Sequence, residues 1–146
     1  MVVSPLWFPF YLNRTHPLNR ILFSSASVHW RTPSTLYEAL NEEFNFTYDP
    51  CPIEGEDGLA CSWEGNRVYC NPPYGPKVRA FLEKAKEATL AVYLLPARTD
   101  TKWFHEIVLP LANEIRFLKG RLHFNNKGPA PFPSMIVVFN GHRWWL

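Results

Sequence analysis

Two consecutive prolines, Pro72 and Pro73, close an apolar run in the stretch 68-VYCNPPYGP-76. Each ring locks φ and removes a backbone donor, so the pair cannot continue a central strand. It ends the strand abruptly and stiffens whatever follows. Asn71 in front and Tyr74 behind are therefore held on a rigid corner. The pair fixes where one strand stops and puts an amide and an aromatic ring at that point.

The surrounding chain alternates between strand and helix signals. Segment 77–89 carries Val78, Phe81, Leu82 and Ala85 at helical spacing, and 90-LAVYLL-95 is apolar up to Pro96, like a strand buried on both faces. Upstream, 32-TPSTLYEALNEEF-44 reads as a helix with Thr32 as N-cap and Pro33 at the first helical position. Its apolar face is Leu36, Tyr37, Leu40 and Phe44. Next, 45-NFTYD-49 alternates as a short strand stopped by Pro50, and 67-RVYCN-71 is the strand that meets the prolines. A further helix is expected from about Asp100, presenting Trp103, Ile107 and Leu111, with Pro110 disrupting its end. Strands 115-IRFL-118 and 135-MIVVF-139 follow, with Lys119 and Arg121 flanking Gly120 in a hairpin. This order predicts an α/β sheet with crossover helices. Ligands in such sheets bind beyond the carboxyl ends of the strands, where Asn71 and Ala97-Arg98 fall.

At 146 residues the chain has room for one domain, read as 25–146, preceded by an extension over 1–24 that shows neither periodicity. A hydrophobic content of 47% with 19% charged residues excludes a disordered chain. No apolar run is long enough to cross a bilayer, and Pro5 and Pro9 interrupt the opening segment, so neither a membrane span nor a signal peptide is expected. Cys51, Cys61 and Cys70 form no CxxC pair, which argues against a disulfide scaffold or zinc knuckle and fits a reducing cytoplasm. The histidines show no metal-ligand spacing, and no metal is expected. Charge is divided along the chain. Eight acids and no Lys or Arg lie between Ser34 and Asn66, against seven bases and three acids from Arg98 to Leu146. An acidic half suits a small cation and a basic half suits a polyanion.

An Asn-Pro-Pro-Tyr corner suits alkylation of an exocyclic amine on a nucleobase. The lone pair of such an amine is delocalised into the ring. Two acceptors on its N–H bonds pull it towards tetrahedral geometry and aim the lone pair at an electrophile. The Asn71 side-chain oxygen and the Pro72 carbonyl supply them, the latter restrained by the proline rings. Tyr74 offers a face on which an extruded base can stack. Pro50-Cys51 precedes this strand rather than replacing its motif, so covalent attack at cytosine C5 is not expected.

The residues 71-NPPY-74 match the motif of amino-methyltransferases that use S-adenosylmethionine. With 30-WRTPSTLYEALNEEFNFTYDPC-51, Trp63, 94-LLPARTDTKWF-104, 117-FLKGRLHF-124 and 131-PFPSMIVVF-139, the chain over roughly 25–140 resembles the phage-type DNA adenine-N6 methyltransferase family. The resemblance implies a compact Rossmann-like methyltransferase fold: a mostly parallel sheet with a C-terminal antiparallel strand and helices on both faces. It implies S-adenosylmethionine as cofactor and adenine in double-stranded DNA as substrate. RNA, a protein glutamine, or a catalytically silent remnant that only binds are the alternatives.

By position, the resemblance makes Asn71, Pro72, Pro73 and Tyr74 the target-base site, with Asn71 also near the cofactor. Trp30, Thr32 and Pro33 would line the cofactor pocket with Pro50 and Cys51. Asp49 would contact the cofactor's amino group if it ends the first strand, whereas its spacing of 22 residues to Asn71 equally suits a second-strand acid that binds the ribose hydroxyls. Asp57 would meet its adenine. Arg98, Lys119 and Arg121 are candidates for DNA phosphates. The glycine-rich FxGxG loop of most such enzymes has no match, and 49-DPCP-52 stands in its place. No separate target-recognition segment is evident either, which implies a homodimer or a specificity partner.

Overall fold

The computed structural model describes residues 2–5, 30–51, 57–124 and 128–141. Among these residues five strands form one sheet: β1 (Val2–Pro5), β2 (Arg67–Cys70), β3 (Leu90–Pro96), β4 (Glu114–Phe117) and β5 (Ser134–Asn140), in the order β1-β4-β5-β3-β2. β1 pairs parallel with β4 and β2 parallel with β3, whereas β5 runs antiparallel to both of its neighbours, β3 and β4. Four strands therefore point one way and the last points back between them.

The apolar pattern explains the layering. Successive strand residues face opposite sides of a sheet. Ala91, Tyr93 and Leu95 of β3 join one core with Val68, Cys70 and Val137, while Leu90, Val92 and Leu94 join a second with Tyr69, Ile136 and Val138. Helix α1 (Ser34–Phe44) packs through Leu36, Tyr37 and Leu40 on the second face. Helix α2 (Val78–Glu83), a 3-10 turn over Lys84–Glu87 and a π-helical turn over Phe104–Val108 cover the first. The π turn runs into α3 (Leu109–Leu111), which contains Pro110. A proline that cannot donate to the carbonyl four residues back favours the wider turn before it.

Several expectations are corrected by this arrangement. Pro33, not Thr32, occupies the cap position of α1, with φ −56° and ψ 133°, and no side chain caps the helix. The strand expected over 45–49 contracts to one parallel bridge between Tyr48 and Val68. Lys119 and Arg121 do not sit in a tight hairpin. They lie on a long β4–β5 connection whose Leu118, Phe124, Ala130 and Phe132 are buried on the α1 face. Within the expected 1–24 extension, Val2–Pro5 belong to the sheet; residues 6–24 lie outside those described. Among the described residues no helix is long and apolar enough to cross a membrane.

Candidate active site

The site is built at the carboxyl end of β2. Residues 69 and 71 share a face because side chains alternate, so Asn71 emerges on the α1 side, in line with Tyr69. Its amide is buried, with 2% of the residue exposed. The Nδ2 group donates to the Trp30 carbonyl at 2.7 Å and to Thr32 Oγ1 at 3.2 Å. A carbonyl can only accept, so the amide nitrogen must face Trp30 and the oxygen must face away. That oxygen, Oδ1, is buried with no hydrogen-bond partner among the described residues. Leaving a buried acceptor unsatisfied costs about 1–3 kcal/mol, which a ligand N–H would recover.

Thr32 Oγ1 is itself 2.6 Å from the Tyr69 hydroxyl. Burial pushes the Tyr69 hydroxyl well above its ordinary pKa despite that bond, so it stays protonated. Tyr74, half-buried, donates its hydroxyl to the Leu94 carbonyl at 3.4 Å and sets its ring edge-on to Phe132 at 5.5 Å. Phe132 also meets Trp30 at 5.2 Å and Phe124 at 6.0 Å. The Arg98 guanidinium stands 6.0 Å from the Phe132 ring centre. The corner is therefore roofed by aromatic rings, with one exposed cation at its edge.

Asp49 lies alongside. Tyr69 N donates to the Tyr48 carbonyl at 3.0 Å, which sets residues 48–51 parallel to β2, and Cys51 Sγ is 3.9 Å from Cys70 Sγ. Burial pushes the Asp49 carboxyl up to about 7, although the Cys51 N–H donates to its Oδ1 at 2.8 Å and opposes the shift. Tyr37 is pushed up to about 12 by burial and by the Asp49 charge. Desolvation disfavours the ionised form of this carboxyl, and a nearby positive charge would favour it.

A family model described as DNA N-6-adenine-methyltransferase (Dam) matches residues 22–137. The chain belongs to this family. No curated protein and no solved structure matches it significantly. The Dam match takes in the Asn71 corner, α1, Asp49 and most of β5.

Among the Dam-family residues singled out from sequence, Trp30, Thr32, Asp49, Pro50, Cys51 and Asn71–Tyr74 come together around the end of β2. Asp57 does not reach this cluster through a contact of its own. It is exposed, and its carboxylate accepts from Leu59 N at 3.0 Å in a turn. Lys119 and Arg121 are exposed beside Gly120, whose φ of 75° makes the bend there. Cys51 and Cys70 are buried free thiols, and burial raises the Cys70 pKa, neither of which suits a nucleophile.

Two participants escape a reading of the sequence motifs. Tyr69 is readable from parity, being two residues before Asn71 on the same face. Gly58 has no local signal: a Cβ there would sit 2.0 Å from the Pro50 carbonyl oxygen, so only glycine lets the loop return against residues 49–51.

Proposed function

We propose that the protein transfers the methyl group of S-adenosylmethionine to N6 of an adenine flipped out of double-stranded DNA. The buried, unpartnered Asn71 Oδ1 carries this reading. An acceptor held without a partner at a proline-stiffened corner suits an incoming amine. The order of the sheet, with its reversed last strand between two parallel pairs, supports a Rossmann-like methyltransferase fold.

Asn71 Oδ1 accepts one N–H of the adenine amine and the Pro72 carbonyl accepts the other. The nitrogen lone pair is thereby turned out of conjugation; the new N–C bond would form as the sulfonium's S–C bond breaks, leaving a thioether, and the alkylated nitrogen would then lose its surplus proton to solvent. Tyr74 and its aromatic neighbours hold the base plane, and burial keeps the Tyr74 hydroxyl protonated. The residues present fit the cofactor: the Asp49 carboxyl accepts from the Cys51 N–H and has no salt-bridge partner among the described residues, and Thr32 and Pro33 at the start of α1 would line the pocket with Pro50 and Cys51. Asp49 continues from the bridge directly beside β2, the placement that suits the cofactor's amino group rather than its ribose. Bound S-adenosylmethionine supplies an electrophilic methyl on a sulfonium. Arg98, Lys119 and Arg121 take DNA phosphates.

The test is methyl transfer from labelled S-adenosylmethionine to DNA, RNA and protein in parallel, with the modified nucleoside identified by mass spectrometry. N6-methyladenine in DNA is expected, abolished by Asn71→Ala while cofactor binding survives. Label in RNA or protein alone, or no calorimetric heat with the cofactor, would overturn the proposal.

A further inference from the structure

We propose that Tyr69, acting through Thr32, is a positioning residue that fixes the orientation of the Asn71 amide; this deepens the amine-methylation reading and rests on it. The Asn71 amide nitrogen has two acceptors, one from the backbone at Trp30 and one from the Thr32 hydroxyl. A hydroxyl is an ambiguous partner, able to donate or accept. Left alone, Thr32 would be free to turn its proton towards Asn71 Nδ2 and lose that bond, leaving the amide held by the Trp30 carbonyl. Tyr69 removes that ambiguity. Its hydroxyl sits 2.6 Å from Thr32 Oγ1 and offers it an acceptor: with the Thr32 proton on that line, a Thr32 lone pair is left for Asn71 Nδ2.

The three groups form a buried chain from Tyr69 to Thr32 to Asn71, ending on the unpartnered Oδ1. Thr32 is 6% exposed and Tyr69 2% exposed, so water does not compete for these bonds. Tyr69 is further immobilised by edge-on contact with Tyr37 at 5.1 Å and by Phe46 at 5.3 Å. The free end of the chain is the atom assigned to the amine. Holding that atom in one orientation before the base arrives lowers the reorganisation needed in the transition state.

The molecule contains its own control. Tyr93 donates a hydroxyl bond of similar length, 2.7 Å, to the Phe81 carbonyl and is equally buried, but faces the opposite core. Tyr69→Phe and Tyr93→Phe should cost comparable stability. Only Tyr69→Phe should loosen the amide: the Asn71 side-chain amide hydrogens, followed by NMR exchange in the full chain, should exchange roughly tenfold faster, the weight of about one hydrogen bond. The kcat for DNA methylation should fall by roughly the same factor, with KM for S-adenosylmethionine unchanged. Thr32→Val should reproduce the loosening and Thr32→Ser should restore it; these variants serve also if Tyr69→Phe fails to fold. Unchanged amide exchange in Tyr69→Phe and Thr32→Val, or an equal change in Tyr93→Phe, would overturn the positioning role. Loosened amide exchange in a chain whose wild type methylates no adenine would keep the positioning role and defeat the proposed function instead.

Discussion

The side-chain amide of Asn71 donates to the main-chain carbonyl of Trp30 across 2.7 Å, joining the end of β2 to the segment that leads into α1. A carboxyl in place of that amide would set oxygen against oxygen unless it carried a proton. Asn71→Asp is therefore expected to depend on a protonated carboxyl, whose pKa burial and the facing acceptor raise. A folded-state pKa raised above the unfolded one contributes stability at low pH that disappears as pH rises through it. The thermal midpoint of the variant should fall relative to wild type from pH 5 to pH 8. Its methylation rate, as a ratio to wild type, should fall in the same direction, to about one-hundredth or less. A pH-independent ratio would refute the argument.

Strand ends are legible in the sequence, but long-range partners are not. The apolar run at 90–95 and the prolines at 72 and 73 each declare a boundary through local chemistry, and β3 and β2 stop within a residue of where these place them. Thr32 reads as a cap because Thr-Pro is a good local helix start. Its actual partner, Tyr69, lies 37 residues away. The strand expected at 45–49 is too long although its alternation is real. Asn45, in a left-handed conformation at φ 52°, uses up its first residue as the stop of α1. β1 is unreadable because four residues carry too little pattern, and their partner is β4, more than a hundred positions on. The site follows the same rule. The motif residues are visible, whereas what orients Asn71 depends on the folded chain.

Asp49 should make cofactor affinity depend on pH. Desolvation pushes its carboxyl up from an ordinary 3.8 to about 7. If the ionised form receives the cofactor, affinity should weaken by about tenfold per unit as pH falls below 7 and level off above it. The ligand-free protein should respond oppositely. The raised pKa contributes stability that is complete below pH 3.8 and is lost as pH climbs to about 7. Calorimetric titration and thermal melts of wild type and Asp49→Asn across pH 5–8 check both. The variant should bind weakly at every pH and lose that part of the stability slope.

Gly58 should tolerate no side chain. A Cβ at this position meets the Pro50 carbonyl oxygen at 2.0 Å, an overlap that backbone atoms must move to relieve. Gly58→Ala is expected to lower stability by about 1–3 kcal/mol and to weaken cofactor binding, because the displaced segment leads from Asp49 to Cys51. Gly65, at φ 73° with nothing within 4 Å of the place a Cβ would take, provides the comparison. Its alanine variant is strained locally and should leave the cofactor constant unchanged. Equal binding losses in both variants would mean that general destabilisation, not the Pro50 contact, is responsible.

Arg116 and Arg121 belong to the same basic half of the sequence but should behave in opposite ways. Arg116 is 8% exposed and makes charge-paired hydrogen bonds to Glu43 of α1, at 2.6 Å through Nη1, and to Glu114 of β4, at 2.7 Å through Nε. It also stands 5.2 Å from the Phe44 ring centre. These bonds raise its pKa and fasten α1 to the sheet, committing the guanidinium inside the protein rather than to DNA. Arg116→Ala should cost about 1–2 kcal/mol of stability, solvent screening at the half-exposed Glu43 reducing the loss, yet leave the salt dependence of DNA binding unchanged. Arg121, exposed beside Gly120, should show the reverse. Arg121→Ala should scarcely alter the thermal midpoint, while reducing the slope of log affinity against log salt by about one. Fluorescence anisotropy with a DNA duplex at several salt concentrations measures the slopes, and an unchanged slope for Arg121→Ala would remove that residue from the phosphate-binding surface.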